Sequence, residues 1–272
     1  MLGVLAWNRA NMISQTTITL RALGFLIACP VILILAGPLT KAVSPEAGPF
    51  VVGAITSFLT LLLTILFVRW DGLALRDVGA SFSTRTPSRI MFGFVVGTSI
   101  VALQDLVIYA GGHTHWIVND AHHPSPGSVS LSLAGYLMLA LREELAFRGY
   151  PLRRLESAWG MWWALLLIGI VFTLEHSAGG WSWSRSLLGP PAGALLFGMA
   201  ALATRGIAVP VGIHLAFNFG QWLMGQKEIA GVWRPVADMG FDRQSETLGY
   251  IGYLAGMLLA ASGFWLWKKR RS

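Results

Sequence analysis

Glutamate, histidine and asparagine side chains recur at spacings that set pairs of them on one helix face, each time within apolar sequence. In Arg142-Glu143-Glu144-Leu145-Ala146-Phe147-Arg148, Glu144 and Arg148 are four apart and can pair across one turn. Glu143 is rotated by about 100° from Glu144 and has no cation at pairing distance along its own face. A carboxylate without a partner in a low dielectric is suited to take and return a proton near neutral pH. A pair with the adjacent Arg142 is the structural alternative. Further on come Phe172-Thr173-Leu174-Glu175-His176 and His214-Leu215-Ala216-Phe217-Asn218. His214 and Asn218 share a face and can address one ligand together. A single histidine in an apolar helix is usually a core residue. Two such helices facing a spare carboxylate make general acid–base chemistry the better reading.

The elements that must position these residues are membrane helices. Hydrophobic residues make up 54% of the 272 positions and charged residues 12%, against about 25% charged in an ordinary soluble domain. Apolar runs cover roughly 20–40, 49–68, 90–111, 129–149, 160–177, 187–203, 206–224 and 247–267, each close to the roughly 20 residues that cross a bilayer. The expected fold is all-α: one integral-membrane domain over 1–272, with about eight transmembrane helices and the reactive residues inside the bundle, in about 129–224. The first run starts near Ala22 with no small-residue cleavage site after it, so it is expected to remain as a span. The loops, the longest near 70–89 and 225–246, are too short for a core of their own. Gly252 and Gly256 let the last helix approach a neighbour closely.

Charge sets the expected orientation. With eight spans and a cytoplasmic N-terminus, fifteen of the 20 Lys and Arg residues fall on the inner side, among them Arg69, Arg76, Arg85, Arg89 and the terminal Lys268-Lys269-Arg270-Arg271. Lys41, Arg185, Lys227, Arg234 and Arg243 fall outside. This is the bias that the positive-inside rule requires, and omitting the fourth span would invert every later loop. Both termini are therefore expected in the cytoplasm, in a cell's inner or plasma membrane. The net charge of +7 is spread among these loops and forms no basic domain, which argues against nucleic acid as a partner. The single Cys29 excludes an internal disulfide framework.

Depth can be tested as well as spacing. In an antiparallel pair of helices joined near Trp159-Gly160, Glu143 and His176 are equally far from the turn and so share one level. Pro151 must kink or end the fourth helix on the way. Glu143, His176, His214 and Asn218 should then converge on a polar cavity reachable from the cytoplasmic side.

Three motifs in this order on successive apolar segments, Glu-Glu-x-x-x-Arg, Phe-x-x-x-His and His-x-x-x-Asn, resemble those of the CAAX-processing and bacteriocin-processing family of membrane proteases, which includes the type II prenyl-CAAX endopeptidases. Leu75-Arg76-Asp77-Val78-Gly79 also resembles the family's loop before the third span. The resemblance implies a glutamate-dependent membrane endopeptidase acting on a prenylated CAAX-type or other membrane-bound protein. It implies Glu143 as the residue that activates water, Glu144 and Arg148 as its support, and His176 as a partner in holding the water or a metal. It implies His214 and Asn218 as stabilisers of the oxyanion. Zinc is a possible cofactor with Glu143, His176 and His214 as donors, since catalytic zinc takes three such ligands; a metal-free route through Glu143 is the alternative.

Other readings compete. His113, His115, His122 and His123 lie in one loop near Asp105, Asn119 and Asp120, and His-x-His can chelate, although a solvated loop is the simpler reading. Glu175 is a second charge beside His176 and is expected to pair with an Arg or His, or to sit at the outer interface. His-Glu-x-x-His and Gly-x-Ser-x-Gly are missing from the sequence, which removes the common zinc-peptidase and serine-hydrolase signatures. A proton-coupled transporter would use buried Glu and His as a relay, but the chain shows no internal repeat. An inert membrane scaffold leaves the four polar residues unexplained as a set.

Overall fold

The computed structural model describes residues 13–43, 47–120, 124–227 and 231–271. Ten α-helices run through them: α1 Gln15–Ala36, α2 Gly48–Trp70, α3 Thr86–Ala110, α4 Pro126–Arg148, α5 Tyr150–Trp159, α6 Met161–Ala178, α7 Trp183–Leu188, α8 Pro190–Thr204, α9 Ala208–Leu223 and α10 Asp242–Lys269. A 3-10 turn over Gly37–Ala42 extends α1. Two strands, β1 Thr114–Val118 and β2 Trp233–Ala237, pair antiparallel with Thr114 opposite Ala237. The all-α expectation holds, and each of the eight apolar segments is a helix. The ribbon was not foreseen, because both of its strands lie in segments read as loops.

Six spans are long and apolar enough to cross a membrane on their own, and leucines and isoleucines such as Ile34, Leu35, Leu66 and Leu259 are exposed on their outer faces. This is an integral membrane protein. Two further helices of the bundle are too charged or too short to cross a membrane on their own, for a reason that concerns the site. Helix α4 carries Arg142, Glu143, Glu144 and Arg148, and α9 has only 16 residues. Both are enclosed by other helices: Val209 to Phe217 are buried in one continuous run. Their surroundings are protein, so they are not selected for contact with lipid.

Close approach of α9 to α3 depends on glycine. A Cβ at Gly93 would come within 2.1 Å of the Val209 carbonyl oxygen, one at Gly97 within 2.4 Å of that of Ile213, and one at Gly212 within 2.0 Å of that of Ile90. On the other side of α3, Cβ atoms at Gly252 and Gly256 of α10 would meet Gln104 Cα at 2.8 Å and Ile100 Cγ2 at 2.9 Å. The small-residue reading of that pair is thereby a packing fact.

The α4–α6 connection differs from a simple hairpin. Helix α4 stops at Gly149, whose N–H donates to the Glu144 carbonyl at 3.0 Å, and Pro151 stands in the first turn of α5, where its missing N–H costs nothing. Helix α5 buries Leu152, Leu155 and Ala158 and is tied to α1 by Gln15 Nε2 donating to the Ala158 carbonyl at 2.9 Å and Trp159 Nε1 to Thr19 Oγ1 at 2.7 Å. Gly160, at φ 78°, makes the turn into α6 in a region open chiefly to glycine. An amphipathic helix thus fills what was read as a turn. The depth match survives it: the Phe147 and Phe172 rings lie 5.0 Å apart and Arg142 pairs with Glu175.

The two ends of the bundle are held differently. At one end, buried Asp71 accepts from Arg21 at 2.5 Å and from the Tyr150 hydroxyl at 2.9 Å, and Arg154 Nε lies 2.7 Å away. Burial first, then the neighbouring Asp71, pushes the Tyr150 phenol above its ordinary pKa, so it stays a donor. Arg153 donates to the Ala201 carbonyl at 2.7 Å, Lys268 lies 3.6 Å from Glu156, and the Ile207 N–H donates to the Gly79 carbonyl at 3.0 Å. At the other end are the β1–β2 ribbon and the Tyr253 hydroxyl, which donates to the Gly189 carbonyl at 2.6 Å. Arg142 and Arg148, counted with the inner loops, are instead buried within α4. Among the described residues, twelve Lys and Arg then belong to the first end and five to the second.

Candidate active site

The site is a chain of polar contacts across α4 and α9. Arg148 is fully buried, with its guanidinium 4.5 Å from the centre of the Phe172 ring, 5.2 Å from that of Phe197 and 5.5 Å from that of Phe147. Its Nε lies 3.6 Å from Glu144 Oε2, so the expected i, i+4 pair is present. Glu144 Oε1 is 2.9 Å from His214 Nδ1. A carboxylate accepts, so Nδ1 carries the proton and Nε2 is turned outward. Nε2 faces Glu143 Oε2 at 3.7 Å. His214 is stacked on Phe197 with ring centres 4.6 Å apart, which fixes the imidazole plane. Glu143, expected to have no partner, therefore has one on another helix, while its Oε2 makes no hydrogen bond.

The alternative pairing of Glu143 with Arg142 is not what forms. Arg142 bonds to Glu175, which places the extra charge of α6 in an ion pair between helices, as one of the two expectations for it had been. That pair locks α4 to α6 one residue before Glu143 and one before His176. His176 Nδ1 is 2.8 Å from the Phe172 carbonyl oxygen, an acceptor, so Nδ1 is again the donor and Nε2 is left available. The ring packs between Phe172 at 4.5 Å and Trp181 at 4.9 Å.

His176, His214 and Asn218 line one cavity of about 450 Å³, together with Phe172, Phe197 and Phe217. The cavity also has contributors that motif spacing missed: Gln104, Gln221, Lys227, Tyr250 and Tyr253. Lys227 Nζ donates to Asn218 Oδ1 at 2.7 Å. With its oxygen so engaged, Asn218 turns its Nδ2 donors away from Lys227. Nothing in the sequence marks Lys227, which lies nine residues beyond Asn218 and past the end of α9. Lys227, Pro235, Ser245 and Glu246 line the cavity at the ribbon end of the bundle.

Zinc was one of two expectations, with Glu143, His176 and His214 as donors, beside a metal-free route through Glu143. Their chemistry suits a metal, since both imidazoles commit Nδ1 to a partner and keep Nε2 for a ligand. Their spacing does not, because among the described residues no three His, Cys, Asp or Glu side chains form a group that would hold an ion. As arranged, the donors do not fit a three-ligand site. The histidine-loop reading fares likewise. His113 lies 3.2 Å from Asp238 and stacks on Phe241, and His115 is exposed on β1, while His122 and His123 lie outside the described residues. The loop before α3 turns on itself, with Asp77 Oδ2 accepting from the Ala74 N–H at 2.8 Å. It contributes nothing to the cavity lining.

Residues 125–220, from the Ser125 cap of α4 to Gly220 late in α9, match the family model described as Type II CAAX prenyl endopeptidase Rce1-like. The matched segment holds all seven residues of the three motifs. No curated protein matches the chain.

Proposed function

We propose a function from one premise, that the chain belongs to the type II CAAX prenyl endopeptidase Rce1-like family: it is a membrane-embedded endopeptidase that cleaves a peptide bond of a membrane-bound substrate with a water activated by Glu143. The observation that carries this reading is the link Arg148–Glu144–His214–Glu143, whose His214 lines a cavity within the bundle.

In the proposed reaction Glu143 takes a proton from water held against His176 Nε2. The hydroxide adds to the carbonyl carbon of the scissile bond. Asn218, its oxygen engaged by Lys227, donates from Nδ2 to the oxyanion, and His214 steadies the same side of the site. Collapse of the tetrahedral intermediate breaks the C–N bond, and Glu143 returns its proton to the leaving amine. Arg148 and Glu144 act through His214 by fixing its tautomer and plane. The unmatched spacing of the three metal donors supports a reaction carried by side chains, and a chelator titration of the purified protein tests it: retained cleavage agrees, and loss restored by zinc overturns it.

The test of the function is hydrolysis of a membrane-embedded peptide by the purified chain in liposomes. Glu143→Ala and His176→Ala are each expected to lower the rate by at least about 100-fold. Cleavage by both variants at the parental rate would end the assignment.

A further inference from the structure

Away from the site, the bundle has a second hollow, on its outer surface. Helix α8 packs against both α6 and α10, and the groove over it holds about 230 Å³. Met199 and Ala261 are buried at its floor. Trp162 of α6 forms one wall, and Leu258, Ser262 and Trp265 of α10 form the other, all four of them exposed. The spans through α6, α8 and α10 are long and apolar enough to cross a membrane, so this outer surface meets lipid. An apolar hollow there forfeits packing contacts unless hydrocarbon fills it.

The lining continues into charge. Leu258, Ser262, Trp265 and Lys269 follow one another at spacings of four, three and four, which makes them one stripe along α10. From Leu258 to Trp265 the helix rises about 10 Å, against roughly 15 Å for one leaflet of a bilayer's hydrocarbon layer. One turn further on, exposed Lys269 holds its Nζ 5.6 Å from the centre of the Trp265 ring.

Trp162 lies at the same level. Lys268 is 3.6 Å from Glu156 in the helix that leads into α6, and Arg153 of that helix donates to the Ala201 carbonyl of α8. Glu156 is shared between Arg153 and Lys268, one carboxylate against Arg153 and the run Lys268-Lys269-Arg270-Arg271. The end of the groove is therefore net positive, with tryptophan on both walls. Tryptophan beside lysine is the composition of a helix end at the level of lipid headgroups.

We infer that this groove binds one anionic glycerophospholipid, with an acyl chain lying over Met199 and Ala261 and the phosphate held at Lys269. Each end of the stripe matches one end of that ligand, hydrocarbon to the groove and negative charge to the lysine. A zwitterionic lipid offers the same chain but sets its own cation against the basic run. The inference is independent of the peptidase reading.

Native mass spectrometry of the purified full chain tests it, with release from micelles that carry equal amounts of phosphatidylglycerol and phosphatidylcholine of identical acyl chains. One phosphatidylglycerol per chain is expected to be retained, with a preference of about fivefold or more over phosphatidylcholine. Lys269→Ala should weaken that retention about fivefold, the worth of one lysine at an anionic surface. Arg271→Ala removes the same charge beside Trp267, off the stripe, and should leave retention unchanged. Ser262→Trp and Leu258→Trp each fill the groove and should abolish retention, with melting temperatures in lipid-free detergent showing that the variants fold.

Equal retention of the two lipids, equal weakening by Lys269→Ala and Arg271→Ala, or retention that survives both filling variants would each overturn the inference. A dimer that the filling variants dissociate would overturn it as well, since a second copy of the chain would then cover the groove.

Discussion

Two buried charge clusters sit in this bundle, one around Asp71 and one around Glu143, and they differ in what their carboxylates have left over. Asp71 has both oxygens engaged, one by Arg21 and the other by Tyr150 and Arg154. Its partners come from α1 and α5, and the rings of Phe25, Phe67 and Tyr150 pack beside it. Glu143 is flanked by His214 at a distance too long for a hydrogen bond, and its Oε2 has no donor. Buried polar groups are as a rule satisfied. A carboxylate that is saturated holds helices together. One that keeps an unsatisfied oxygen against a histidine that lines a cavity can accept a proton.

The comparison can be broken by substitution. The largest expected effect is that of Glu143→Gln, which should reduce cleavage by about 1,000-fold while leaving the melting temperature in detergent unchanged or raised, since strained functional sites commonly cost stability. A large drop in melting temperature would make Glu143 a structural residue like Asp71. Asp71→Ala should do the opposite. Removing one partner of a buried pair costs about 3–5 kcal/mol, so unfolding should shift strongly while the turnover of the folded fraction stays at the parental level.

Smaller effects sharpen the boundary between the clusters. Glu144→Gln keeps a hydrogen-bond acceptor for His214 but removes the charge, and should lower kcat about 10- to 100-fold with little change in KM. A change confined to KM would mean that Glu144 serves substrate binding. Tyr150→Phe deletes one donor to Asp71 and should cost about 1 kcal/mol, read by thermal unfolding, with cleavage unaffected.

How much of this was legible in the sequence depends on which forces act locally. The eight long helices followed from apolar run length, the two short ones did not, and the Glu144–Arg148 pair followed from one turn of helix. The shared depth of Glu143 and His176 followed from counting back from Trp159-Gly160, and the Arg142–Glu175 contact bears it out. Contacts between distant segments were not legible. Asp71 follows Arg69 and Trp70 at a helix end and reads as an ordinary interfacial charge, although its partners are 50, 79 and 83 residues away. The ribbon depends on pairing across more than 100 residues. Lys227 meets Asn218 only because the chain turns back after α9. The cavity lining draws Gln104, Tyr250 and Tyr253 from helices outside the three motifs, which no spacing records.

The enclosure of Arg148 has a consequence for ionic strength. Counterions screen charges that solvent can reach, and neither Arg148 nor Glu144 has any side-chain exposure. Salt that dissolves an exposed pair such as Arg76–Asp77, 3.8 Å apart at the surface, has no route to the phenyl-walled guanidinium or to the carboxylate that orients His214. The catalytic alignment should therefore be the same in dilute buffer and in molar salt, and any salt dependence of cleavage then reports how the substrate approaches the cavity.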